Sequence, residues 1–223
     1  MSRFWRQAWA VARRDLLVEG RAGEALSVVL PFAAVAVFVV PLATDATASL
    51  LERLAGPVYW LVALLFGMQV AIRQTVVESL AQRRMLALLG LDPAARFAGR
   101  SLASGGLLYV VLLALAPLVA LFYDPELPPP LLFAGVLALL AAGLAMLGTL
   151  AGDITTGLRT RSTLAPLLVA PLAVPLLMGA AQALEPVSRA GGSIPWILVL
   201  VIADLALAVT GVLTARPLEE ATT

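Results

Sequence analysis

The sequence predicts an all-α, polytopic membrane protein with six transmembrane helices and an amphipathic interfacial helix at its N-terminus. Three observations carry this prediction. Of the 223 residues, 61% are hydrophobic and mean hydropathy is +0.97, whereas soluble domains run nearer about 45–50% apolar. Only 13% of residues are charged, and they gather between long apolar runs. Those runs are continuous rather than alternating, which argues for spanning helices over barrel strands. One membrane domain, residues 1–223, uses up the length.

Residues 3–22 read as the interfacial helix. Trp5, Trp9, Ala12 and Leu16 recur at helical spacing, with Arg6, Arg13 and Arg14 elsewhere around the turn. Such a helix lies in the headgroup layer with its Trp rings at interfacial depth. The plainer alternative is a positively charged anchor for the first span. This segment is not expected to be a cleavable signal, because Arg3, Arg6, Arg13, Arg14 and Arg21 leave no compact apolar core. Six apolar runs follow, each near the roughly 20 residues a spanning helix needs: about 25–43, 57–76, 102–122, 131–151, 164–184 and 194–215. The second has a short core, Pro57 to Ile72. The fifth carries Pro166, Pro171 and Pro175, which predicts a kinked or broken helix. In the fourth, Ala141-x-x-x-Ala145 and Gly148-x-x-x-Gly152 allow close helix packing.

Arginine placement orients the chain, since short cytoplasmic segments collect positive charge. With the N-terminus inside, thirteen arginines fall on the inner side and only Arg53 and Arg189 on the outer. Both termini are then cytoplasmic, in a bacterial plasma membrane, and the number of spans is even. The outer connections are short: Asp45 to Ala55, Asp124 to Pro130 and Glu185 to Ser193.

The inner segment 73–100 is far longer than two spans need for a turn. Leu80, Arg83, Arg84 and Leu88 suit a short helix with a charged side, which Gly90 ends. Asp92 then caps a second helix with Pro93 at its first position. This helix–turn–helix is read either as a docking element for a soluble partner or as a solvated, positive-inside loop. Asp204, near the middle of the sixth run, is costly in a bilayer by roughly 2.5–3.5 kcal/mol and is expected to face protein or water. It is a candidate for a substrate- or proton-linked site, or for helix packing. Asp153 sits at the inner end of the fourth run, where an interfacial position is expected.

Absences narrow the chemistry. Net charge is +1, too small to suggest nucleic-acid binding. With no His and no Cys, disulfides, thiolate chemistry and His-ligated metal or haem are unavailable. All fifteen basic residues are Arg; without Lys there is no Walker-type P-loop. No catalytic residue, metal ligand or resident cofactor is expected. Any active transport draws its energy from a partner chain or an ion gradient.

This architecture resembles the permease subunits of one class of ABC exporters, and more narrowly the CcmB family, haem exporter protein B of cytochrome c maturation. The resemblance covers nearly the whole chain. It is carried by Arg13-Arg14-Asp15-Leu16, by the segment Glu78 to Gly90, by Leu91-Asp92 leading to Phe97-Ala98-Gly99-Arg100-Ser101-Leu102-Ala103, and by the Pro-rich run Leu164 to Pro175. The chain departs from the family pattern at Ala81, Arg83 and Arg84, where acid and Gly are usual, and at Gly90, where Pro is usual. The resemblance implies a permease subunit coupled to a separate cytoplasmic ABC ATPase through the loop bearing Glu78, Arg83, Arg84, Asp92, Arg96 and Arg100. It also implies other cytochrome c maturation membrane proteins as partners, a second copy of the chain in the complex, and haem as substrate or passenger. Two other functions stay open: an ABC permease for a lipid, drug or polysaccharide, and a non-transporting scaffold for maturation proteins.

Overall fold

The computed structural model describes residues 3–23, 25–43, 47–76, 90–154, 161–185 and 192–220. Among them there is helix and no strand. The elements are α1 (Arg3–Ala22), a π-helical turn (Ala25–Val29) that runs into α2 (Leu30–Ala43), α3 (Ala48–Val76), α4 (Pro93–Tyr123), α5 (Pro130–Ile154), α6 (Arg161–Leu184) and α7 (Ile194–Glu220).

Four helical stretches are long and apolar enough to cross a membrane: Ala48–Gly67, Pro93–Tyr123, Pro130–Ile154 and Ile194–Pro217. Ser27–Ala43 and Val169–Leu184 are apolar but shorter. All six expected runs are therefore helical. The first opens with the π-helical turn, whose looser winding displaces the helical register.

α4 and α5 form the centre. α4 packs against α1, α2, α3, α5 and α7, and α5 against α3, α4, α6 and α7. Half of the apolar window of α5 is buried inside the protein, against 17% for α7, so α7 is the most exposed of the four long apolar helices. Small residues permit this density. Ala141, Ala145, Gly148 and Gly152 are all buried on α5, and Ala145 meets α4 at Gly105. Two buried tyrosines tie neighbouring helices to α4. The Tyr59 hydroxyl donates to the Leu112 carbonyl at 2.9 Å, and the Tyr123 hydroxyl donates to the Val37 carbonyl at 2.8 Å.

Boundaries differ from the sequence expectation in ways that have local causes. α3 begins at Ala48, so most of the expected outer loop Asp45 to Ala55 is helical; nothing in Ser49-Leu50-Leu51-Glu52 breaks a helix. As expected, Asp92 caps a helix that starts at Pro93, and that helix runs on without a break through the third run as α4. The expected inner segment 73–100 thus contains the last turn of α3 and the first two turns of α4. α6 runs unbroken from Arg161 to Leu184 through its prolines, in place of a broken helix. The proline-rich connection between α4 and α5 is short and non-helical, as expected. Asp124 closes α4 in a left-handed conformation, φ 45°, its N–H donating to the Ala120 carbonyl, and residues 125–129 are non-helical before Pro130 starts α5.

Tyr123→Phe removes the α4–α2 hydrogen bond and leaves the Val37 carbonyl without that donor. It should destabilise the protein by about 1 kcal/mol, read as an earlier midpoint in denaturant titration of the protein in mixed micelles, with the helical content of the native state unchanged.

Candidate functional site

One end of the bundle gathers α1, the start of α4 and the ends of α5 and α7, and Asp92 stands at its middle. Asp92 has extended backbone angles, φ −68° and ψ 124°, and its side chain accepts from the Ala94 N–H at 3.1 Å. Pro93 follows at the first helical position, where a missing N–H costs nothing. The second carboxylate oxygen faces Arg216 of α7 at 3.5 Å. The Asp92 N–H donates to the Gln7 side-chain oxygen at 3.4 Å, and the Gln7 amide nitrogen donates to the Gly90 carbonyl at 3.2 Å. α1 is therefore bonded to the two ends of the tripeptide that leads into α4. Gly90 adopts φ 71°, a left-handed conformation that Gly enters without steric cost.

Beyond the cap, α4 presses close to its neighbours. A Cβ at Gly99 would overlap the Ala8 carbonyl and the Val11 side chain of α1. A Cβ at Gly211 of α7 would overlap the Phe97 ring. These two glycines let α1 and α7 seat against the head of α4. Phe97, Ala94 and Ala215 form a small buried cluster there, with Phe4, Met146 and Leu150 packed on it.

Arg96 and Arg100 lie in the same two turns and are over nine-tenths buried. Arg100 pairs with Asp153 at the end of α5, nitrogen to oxygen 3.7 Å, with both side chains largely out of solvent. Asp153, at the end of α5, is half of this shielded ion pair. The side chains of Arg96 and Arg100 point into the packed end, so in this conformation they hold α4 in place rather than present its outer surface. Of the other loop residues singled out from the sequence, Glu78, Arg83 and Arg84 lie outside the described residues, and so does the helix expected before Gly90.

α1 shows three faces. Ala8 and Ala12 are buried against α4, while Trp5 and Trp9 are 53% and 61% exposed beside them. Ala12 was grouped with the Trp stripe by spacing alone; its small side chain instead fits the helix contact. Leu16 stays on the exposed side, as do Arg6 and Arg13.

Asp204 sits apart, in α7 and facing α5 and α6. It is buried, and neither carboxylate oxygen has a hydrogen-bond partner. A Cβ at Gly143 would overlap Asp204 Oδ1 and the Leu176 side chain, so a glycine on α5 makes the room it occupies. Among the described residues no group of three His, Cys, Asp or Glu could hold a metal ion.

Sequence reasoning found Asp92 as a cap and missed Gln7, Gly211 and Arg216 as its setting. Gly211 carried a signal, being a lone Gly inside a long apolar helix; Gln7 and Arg216 carried none, because their partners are 83 to 124 residues away. Arg100→Ala should destabilise by about 2 kcal/mol, since it removes one shielded charged partner of the Asp153 carboxylate. In a double-mutant cycle with Asp153→Ala, the double variant should recover part of that loss. Simple additivity in the same denaturation assay would show that the pair is not coupled.

A comparison with curated proteins finds no match for this chain. A family model, that of the CcmB protein, matches residues 6–218. The matched stretch takes in most of α1, the Asp92 setting and nearly all of the later helices. By that match the chain belongs to the CcmB family, whose members are haem-exporter components of cytochrome c maturation.

Proposed function

We propose that this chain is the transmembrane permease subunit of an ABC-type complex for haem delivery in cytochrome c maturation. It resides in the bacterial inner membrane with six spans, α2 to α7, and both termini in the cytoplasm. Thirteen arginines on one side against two on the other support that orientation. So does the meeting of α1 and the end of α7 at one end of the bundle. α1 lies along the inner interface, with Trp5, Trp9 and Leu16 toward the headgroups and Ala8 and Ala12 on α4.

The observation that carries this reading is the anchorage of the inner loop. Residues 77–89 enter the described structure at Gly90, and within two residues the chain is bonded to α1, capped into α4 and paired with α7. A push on such a loop cannot be absorbed locally. It moves the head of α4, and α4 is packed on α1, α2, α3, α5 and α7. The chain itself supplies no nucleotide chemistry. A cytoplasmic ATPase subunit docked on Glu78, Arg83 and Arg84 supplies the motion, and Asp92, Arg96 and Arg100 transmit it. Two copies of the chain would present two such loops to two ATPase subunits. The output is haem delivery, or release of a haem-loaded carrier, on the outer side. Asp204 is a secondary candidate for the moving step, since its unpartnered carboxylate marks where α7 meets α5 and α6.

The test is retention of partners by tagged, full-length protein in mild detergent, with mass spectrometry of what is held. An ATPase together with haem-handling membrane proteins supports the proposal. An ATPase without them favours export of a different substrate, and maturation proteins without an ATPase favour a scaffold. Within that assay, Arg83→Glu with Arg84→Glu should reduce the retained ATPase by roughly tenfold, on the scale of about 1.4 kcal/mol. Membrane insertion should be unaffected. Undiminished ATPase would remove the docking assignment.

A further inference from the structure

At the end of the bundle opposite Asp92, the ends of α3, α4, α5 and α6 enclose a cavity of about 1120 Å³. Its floor is aromatic. Tyr59, Trp60 and Phe133 line it, with the Tyr59 ring 5.1 Å from that of Trp60 and 6.2 Å from that of Phe133, centroid to centroid. Tyr59 is buried, its hydroxyl donating to the Leu112 carbonyl, and the ring surface on offer comes from Trp60 and Phe133, which are partly exposed. Gly56 keeps part of the space open: a Cβ there would meet only Trp60 Nε1, at 3.9 Å.

The rim is charged. Among the described residues, Glu52, Arg53, Glu126 and Glu185 line the same cavity, three carboxylates with one guanidinium, and Glu52, Arg53 and Glu126 are exposed. An apolar floor beneath a charged rim fits an amphiphile, and the surrounding bilayer provides amphiphiles at high local concentration. The balance of charge selects among headgroups. A phosphate meets Arg53, and an ammonium on the same headgroup meets the carboxylates. An anionic headgroup lacking an ammonium gains the first contact and is repelled by the acids. The same balance works against haem in this cavity. Among the described residues its two propionates would meet one arginine among three acids, and the one lining side chain of a haem-ligating type, Tyr59, has its hydroxyl bonded to the Leu112 carbonyl.

We propose that this outer cavity is a binding site for a zwitterionic, ammonium-bearing phospholipid of the phosphatidylethanolamine type. The site goes beyond the permease reading and does not depend on an ATPase partner, so either can fail without the other.

The experiment is native mass spectrometry of the full-length, delipidated protein. It is titrated with palmitoyl-oleoyl phosphatidylethanolamine and, separately, with phosphatidylglycerol bearing the same chains. Phosphatidylethanolamine should bind roughly fivefold more tightly, the scale of one or two exposed charge contacts. Glu52→Gln with Glu126→Gln, both at exposed positions, should erase that preference. Gly56→Leu fills the space and should weaken both lipids. Equal affinity for the two lipids in the unmodified protein would overturn the proposal. So would a preference that survives the double Gln variant, or unchanged binding in Gly56→Leu, which places the lipid elsewhere. Displacement of phosphatidylethanolamine by added hemin would overturn the headgroup assignment in favour of the porphyrin.

Discussion

Asp92 uses every hydrogen-bonding group it has, and its end of the bundle is arranged around that fact. One carboxylate oxygen caps α4 and the other faces Arg216 of α7; the backbone N–H reaches Gln7 of α1, and the carbonyl accepts from Arg96 N–H at 3.0 Å. The cap alone is worth about 1 kcal/mol, and the exposed pair with Arg216 adds little. Position matters more than energy here. A single residue sets where α4 starts, and α4 is the helix against which α1, α2, α3, α5 and α7 are packed.

What surrounds Asp92 stiffens that arrangement. Gly99 and Gly211 let α1 and α7 approach until side chains meet backbone, and Phe97 fills the seat between them. The Arg100–Asp153 pair spans from α4 to α5 behind this seat. A charge pair held away from water adds little net stability but penalises any separation of its partners. The Asp92 end is therefore suited to move as a unit. The opposite end is built differently: helix ends stand apart there around an aromatic-lined cavity, and the connection between α4 and α5 is a short non-helical stretch rather than packed helix.

Much of this was legible in the sequence for identifiable reasons. Continuous apolar runs specify spanning helices because backbone groups in lipid must be satisfied within the segment. The Asp92-Pro93 pair specified a helix start because the capping chemistry is local. The small residues of α5 announced close packing and are buried as expected. What the sequence hid was whatever depends on distant partners. Arg96 and Arg100 read as loop charges because nothing local says that Asp153, some fifty residues on, will shield Arg100. Ala12 read as part of the Trp stripe because spacing alone does not say which edge of an amphipathic helix meets protein. The early start of α3 was hidden by Glu52 and Arg53, whose charge suggested a loop although both are sound helix formers.

The central claim is that α1, the tripeptide Gly90 to Asp92 and the head of α4 move as one body when the inner loop is driven. The chain has no native cysteine, so within it only an introduced pair is bridged by a short bismaleimide: Arg3→Cys, at a position beside Gly90, with Leu91→Cys, which leaves the Gln7 bonds in place. The measurement is the yield of mature c-type cytochrome from cells carrying the bridged protein, compared with the same variant unbridged. The account predicts efficient bridging and equal yields, because the link joins groups that do not separate. A bridge that forms and abolishes maturation, or one that fails to form, would contradict it.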